Sequence, residues 1–295
     1  MRKIKLIKQL IFLSCFLLFN KNFFGQTVSG KLQFEQGKML NIQMEIKSSV
    51  AQQPGGQAIN FTIEGMVLHS YKVMNATPEN TTLQHQANKI VFSFDGMGQK
   101  RSFDSDSKND MEGPFGETVK NILNKNFDMV IDPNGKVMVI RPDKIEPVKT
   151  DDRSAIVFNM LKGLTDVIYP PKKGEASFFK ILPDKATNKG ETWTDSGQNE
   201  NGKFSTEYTL TDITDSTIVV DFKGTALIAT KGTMMGLETS TTLNSMNTGK
   251  IILDKITGLI KEKTTTIESN GNTEAMGGTT PVTSKTTIVI QMKPE

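Results

Sequence analysis

The chain has 295 residues, 36% hydrophobic and 23% charged, with a formal net charge of +3. Its single cysteine, Cys15, leaves no disulfide framework and no thiolate metal site in the rest of the chain. Residues 1–25 hold five basic residues and no acidic ones, so the remainder carries −2 and lacks the basic footprint of a nucleic-acid-binding protein.

The N-terminus has the layout of a secretory signal peptide, predicted over residues 1–25: basic Arg2, Lys3, Lys5 and Lys8, an apolar core from Leu10 to Phe19, and Gly25 before Gln26. Ten apolar residues are too few to span a bilayer, which takes about 20. Ser14-Cys15 resembles a lipoprotein cleavage box. Phe12 and Leu13 fit that box poorly, and lipidation would leave Phe16–Phe19 on the mature chain, so simple export to the periplasm or outside is expected.

The mature chain opens on strand patterns. In Met39–Lys47, Leu40, Ile42, Met44 and Ile46 alternate with polar residues, as one face of a strand requires. Gln53–Gly56 predicts a turn, Ile59–Val67 a second strand with Gly65 as a bulge, and Leu68–Asn75, Thr81–Gln86 and Lys89–Asp95 three more. The period then changes. Phe115, Val119, Ile122 and Leu123 form a helical stripe after Pro114, predicting a helix over 115–126. Phe127–Ile131 and Lys136–Ile140 flank a hairpin turn at Asp132–Gly135. A second helix is predicted over 151–168, with Ile156, Met160 and Leu164 on one stripe and Pro170-Pro171 after it.

From Gly190 the pattern is strand-like again, clearest in Tyr208–Thr214, Thr217–Lys223, Lys250–Leu253, Leu259–Ile267 and Lys285–Met292. Asn270–Pro281 and Gly232–Gly236 read as mobile linkers. Tyr71–Leu83 aligns without gaps on Tyr208–Val220, and the stretch from Val130 resembles that from Ile252, which points to an internal duplication. The expected fold is α+β, mainly antiparallel β: two pseudo-repeated curved sheets or a half-barrel with two covering helices. The expected organisation is an N-terminal β half over 26–168 and a C-terminal β half over 169–295, packed as one unit.

Five short motifs carry a family likeness: Lys31–Lys38 (KLQFEQGK), Asp104-Ser105-Asp106, Asp132–Gly135, Gly190–Trp193 and Asp254–Gly258. In this order they resemble an uncharacterised domain-of-unknown-function family of exported, strand-rich Bacteroidetes-type proteins. The approach to Gly190 departs from that pattern, since Ala186-Thr187-Asn188 replaces apolar residues. The resemblance implies no activity and no site residues.

Candidate chemistry is sparse. Asp104, Asp106, Asp110 and Glu112 form the densest acidic cluster. Counted as a calcium loop from Asp104, position 5 is Lys108, position 6 is Asn109 and position 12 is Phe115, so a solvated connection into a helix start is expected instead. His69 and His85, the only histidines, read as two separate sheet residues rather than a metal pair. No serine or threonine has an identifiable base, Gly277-Gly278 opens no helix and so forms no phosphate cradle, and Trp193 reads as a packing anchor. Methionines such as Met39, Met44, Met66, Met74, Met97, Met234, Met235 and Met246 read as core filling, with a face open to a greasy ligand as the alternative.

No catalytic, cofactor-binding or metal residue is therefore assigned. The leading expectation is a non-enzymatic envelope protein that binds or carries an apolar or lipid-like ligand, with no nucleic acid and no transmembrane segment after the signal. One alternative is a carboxylate-based hydrolase of envelope or environmental polymers, which needs two carboxylates converging in one cleft. Another is a structural or adhesive surface protein, which needs no cavity.

Overall fold

A computed structural model of the chain describes residues 27–53, 58–96, 98–142, 157–166, 169–199, 202–234, 237–275 and 277–293. The expected export signal, Cys15, Met97, Met235, the Pro54–Gly56 part of the first turn, and residues 151–156 (with Ile156) and 167–168 of the second expected helix lie outside these residues.

The strands are β1 (Thr27–Val28), β2 (Met39–Gln52), β3 (Ile59–Ala76), β4 (Thr81–Gly96), β5 (Gln99–Asp104), β6 (Phe127–Ile131), β7 (Val137–Arg141), β8 (Thr187–Asn188), β9 (Thr192–Asn199), β10 (Gly202–Ile213), β11 (Thr217–Met234), β12 (Leu237–Asp254), β13 (Ile260–Ala275) and β14 (Gly278–Lys293). Twelve of them form one antiparallel sheet in the order β7-β6-β4-β3-β2-β14-β13-β12-β11-β10-β9, with β5 paired to β4. The sheet curls into a half-barrel that does not close. β1 and β8 make a separate two-stranded piece.

Alternation along each strand sends one row of side chains inward and the next outward. The inner side holds two clusters of buried residues. The larger joins β2–β7 to the helical segments through Ile63, Leu83, Phe92, Met129, Leu161 and Leu164. The smaller gathers Leu210, Ile218, Val220, Ile251 and Leu253 on β10–β12.

Among the described residues lie the short helices α1 (Lys108–Met111), α2 (Gly116–Leu123) and α3 (Lys162–Thr165). α2 matches the first expected helix, with Phe115 as its N-cap and Val119 and Ile122 buried. Pro114 therefore sits outside the helix rather than at its first position. The second expected helix is described over 157–166 and turns at Leu161 before α3. Its buried residues are Val157, Phe158, Leu161 and Leu164, so the stripe runs through 157, 161 and 164, with Met160 only partly buried. Gly65 lets it sit close, because a Cβ there would stand 2.6 Å from Leu161 Cδ2.

Three strand expectations change. β3 and β4 are each one continuous strand. The irregularities fall between Leu68 and His69 and between Val73 and Asn75, while Gly65 pairs regularly with Ile46 and Phe92 and is no bulge. Asn88 is the extra residue opposite Leu68 and His69, which is why the alternation breaks at Ala87-Asn88. Asn270–Pro281 is not a linker but the end of the β13–β14 hairpin, in register from Asn270 opposite Thr283 to Ala275 opposite Gly278. Threonines, favourable on a pleated surface, sustain it. Gly232–Met234 likewise continue β11.

The two halves share more than a strand count. Val73 N–H donates to the Lys38 carbonyl, and Gly37 N–H to the Val73 carbonyl; Leu210, at the aligned position, repeats both bonds with Glu191 and Gly190. Gly37 and Gly190 have φ of 86° and 90°. A bulge follows Val73 in β3 and Leu210 in β10. Thr77 Oγ1 accepts from Asn80 N–H, and Thr214 Oγ1 from Thr217 N–H, closing equivalent turns. Asp132 Oδ1 caps Asn134 and Lys136, as Asp254 Oδ1 caps Ile256 and Thr257. The strands β2-β3-β4-β6-β7 and β9-β10-β11-β12-β13 thus repeat one meander.

Candidate binding groove

The outer face of the sheet, opposite the larger core, carries an open groove of about 590 Å³. Two register rows build it. Asp104, Val91, Met66, Glu45 and Val289 are successive partners across β5, β4, β3, β2 and β14. Beside them run Ser102, Ser93, Glu64, Lys47 and Thr287 on the same strands. Phe103, Phe92, Gly65, Ile46 and Ile288 lie between the rows and project to the core side. Val91, Met66 and Val289 give the groove a half-buried apolar floor, and Asp110 reaches it from α1.

Carboxylates dominate the rim. Glu64 is paired with Lys47 at 2.6 Å, and that bond, with help from Lys100, holds its carboxyl below the usual range. Asp104 is also held low, first by the Asp106 N–H and then by Lys89. The acidic loop largely satisfies itself. Lys89 pairs with both Asp104 and Asp106, Asp104 N–H donates to Asp110 Oδ2 at 2.9 Å, and Ser107 Oγ caps α1 by accepting from Asp110 N–H. Asp110 therefore lies inside the short helix α1 and also precedes α2. Among the described residues no group of three His, Cys, Asp or Glu could hold a metal ion.

The histidines overturn the reading of two separate residues. The β3–β4 register sets Tyr71 opposite His85 and His69 opposite Ala87, so the two imidazoles are diagonal neighbours on the buried face. His69 Nδ1 and His85 Nε2 are 3.1 Å apart, and both residues are fully buried. Tyr71 packs on His85 with ring centroids 4.8 Å apart, and Phe127 at 4.5 Å. Burial pushes His69 down to about 4; burial and the charge of His69 push His85 to about 3. Both rings are neutral at pH 7. The Leu164 carbonyl faces His69 and favours a proton there, although its geometry falls short of a hydrogen bond, so His69 Nε2 and His85 Nδ1 stay unpaired. The pair lies on the inner face, apart from the groove.

Lys263 is a half-buried charged group that its sequence context does not announce. It stands in an inner row otherwise made of Leu210, Val220, Ile251, Ile290, Met44, Val67 and Ile90. In the repeat it takes the place of Ile140. Its Nζ lies 5.4 Å from the Phe222 ring centroid, and loss of hydration lowers its pKa. A depressed ammonium pKa lowers stability at every pH below the unfolded value near 10.5 and ceases to matter above it. Lys263→Met should raise the unfolding free energy at pH 7 by about 1–3 kcal/mol. Urea titrations at pH 7 and pH 11 check this, because the gain should shrink at the higher pH.

Trp193 stacks on Tyr208, centroids 5.5 Å apart, against the smaller cluster. Of the methionines, Met44 and Met129 are buried, Met66 floors the groove, and Met246 and Met74 are exposed on the surface.

The groove-forming end of β4 and the acidic loop fall within a recognised sequence family, whose profile matches residues 78–142 and 172–260, just over half the chain. The chain belongs to DUF6263, a family of unknown function. The matched residues of this DUF6263 member include Val91, Asp104 and Asp110 of the groove, and four of the five motifs noted in the sequence, but neither Met66 nor Val289. No curated protein matches it. Similar solved structures include lipovitellin, studied for its lipid–protein interactions, at 10% identity and TM-score 0.49 over 89% of this chain and 26% of that one. The DUF6263 chain thus spans about a quarter of that protein's length. DynF from the dynemicin biosynthesis pathway of Micromonospora chersina is 7% identical, with a TM-score of 0.23 over 92% and 85%. Pseudomonas aeruginosa OccK5 is 6% identical, with 0.26 over 88% and 99%. All three scores fall below 0.5, so none carries over a function. No helix among the described residues is long and apolar enough to cross a membrane.

Proposed function

We propose that this protein is an exported, non-enzymatic binding protein whose outer groove holds an apolar ligand. The observation that carries this reading is the floor: Val91, Met66 and Val289 sit in one register row on a face whose neighbouring row is Ser, Ser, Glu, Lys and Thr. Pockets of roughly 300–1,000 Å³ with apolar linings and a few polar groups are the usual form of small-molecule sites. A purely adhesive role leaves such a groove without a purpose. The N-terminal signal pattern supports export, and the two β halves, 26–168 and 169–295, serve as one sheet that aligns the five groove strands.

Titration with the neutral fluorophore N-phenyl-1-naphthylamine tests the reading. Met66→Asp should weaken binding at least tenfold, since it replaces buried apolar contact with a charge, while leaving the melting temperature within a few degrees. Equal binding to both proteins, or none to the wild type, would overturn it.

The hydrolase reading draws on the same groove, because Glu45, Glu64, Asp104 and Asp110 all line it. It needs a protonated carboxyl beside an ionised one. Glu64 and Asp104 are held ionised, and Asp110 accepts the Asp104 N–H. Only Glu45 is left, and it accepts from Gln43. The groove is better suited to holding a ligand than to cleaving one.

A further inference from the structure

The charge around the floor says which apolar ligands fit. Four carboxylates line the groove, Glu45, Glu64, Asp104 and Asp110, against one ammonium, Lys47. Lys47 pairs with Glu64, and Lys89, behind the rim, is shared by Asp104 and Asp106, so among the described residues Glu45 and Asp110 are the groove carboxylates without an ion-pair partner. Glu45 sits in the floor row itself, between Met66 and Val289. A ligand tail on that floor therefore has a carboxylate within its own row and others at its flank. Residues 26–295 carry a formal charge of only −2, so a negative potential concentrated at the groove is a local feature, not a reflection of the whole molecule.

Resting on the binding role proposed above, we infer that the groove selects cationic amphiphiles, with the tail on Val91, Met66 and Val289 and the cation against Glu45 and its neighbouring carboxylates. Neutral amphiphiles keep the apolar contact and lose the ion pair. Anionic ones meet like charge, which costs affinity without removing the floor.

Three detergents with the same twelve-carbon tail separate the terms: dodecyltrimethylammonium, dodecyl maltoside and dodecyl sulfate, each kept below its micelle concentration, displacing N-phenyl-1-naphthylamine from the full-length mature protein. The cationic probe should bind at least tenfold tighter than the sulfate, with the maltoside between. Raising salt from 20 mM to 0.5 M should collapse most of that spread, because exposed charges are screened within a few ångströms there. Glu45→Gln and Glu64→Gln should each weaken the cationic probe about threefold more than they weaken the maltoside. Both positions are exposed, so neither change threatens folding. Equal affinity for all three probes, or preference for the sulfate, overturns the charge selection while the groove's binding role survives. Binding of none overturns both.

Discussion

Lowering the pH from 7 to 4 should cost the protein on the order of 3–6 kcal/mol through His69 and His85 alone. The sign follows from their burial. Both folded-state pKa values, about 4 and about 3, lie below the unfolded value near 6.5. Their stabilisation is complete above 6.5 and is lost as pH falls through that value toward 3. Geometry acts in the same direction. The 3.1 Å contact between His69 Nδ1 and His85 Nε2 needs one ring to donate and the other to accept. A doubly protonated pair would set two N–H groups against each other inside a shell of Tyr71 and Phe127. The double variant His69→Leu, His85→Phe isolates the effect, and phenylalanine is what the second repeat places there, as Phe222 beside Tyr208. Urea midpoints between pH 7 and 4 should fall steeply for the wild type and much less for the variant. Parallel curves would refute the assignment.

Gly249→Ala should be strongly destabilising, at about 3 kcal/mol or more. A Cβ at that position would stand 2.1 Å from the Thr264 carbonyl oxygen and 2.4 Å from Phe222 Cζ. The ring could turn away, but the carbonyl belongs to the β12–β13 ladder and cannot move without breaking it. Adding Phe222→Ala should therefore fail to restore stability. Thr248→Ala, one residue away on the exposed face, should change it by less than about 0.5 kcal/mol. Recovery in the double variant would show that ring crowding, not backbone approach, fixes Gly249. In the first repeat the same place holds Phe127, which stacks on His85. The two halves thus fill equivalent space from opposite strands.

Much of this architecture could be read from residue order. Strict alternation exposed β2, β10 and β14, Asp132–Gly135 announced its hairpin, and the stripe through Phe115, Val119 and Ile122 announced α2. What stayed hidden has specific causes. Asn88 shifts the phase of β4 by one residue, so one strand looked like two. The Thr-rich arms of β13 and β14 carry little apolar contrast, so they looked like linker. The groove joins residues 45, 66, 91, 104 and 289, whose neighbourhood depends on the pairing of five strands. His69 and His85 lie 16 residues apart and meet only because the hairpin register makes them diagonal. Lys263 reads as a surface residue in Lys261-Glu-Lys263, and only its pairing with Ile251 and Ile290 shows it facing inward.

The pairing of β2 with β14 places the seam of the sheet between residues 238 apart, as in the Ser48–Thr286 contact. Apart from β4–β6, which spans β5 and two helices, every other ladder of the large sheet joins consecutive strands and can form as a local hairpin or meander. This one must wait until β14 has left the ribosome, and its closure carries the largest loss of chain entropy in the molecule. Until then β2 offers an unpaired apolar edge, and both groove rows stop at Glu45 and Lys47. The groove is consequently the last part of the large sheet to be assembled during biogenesis, and a nascent chain arrested before β14 would lack one of its five strands.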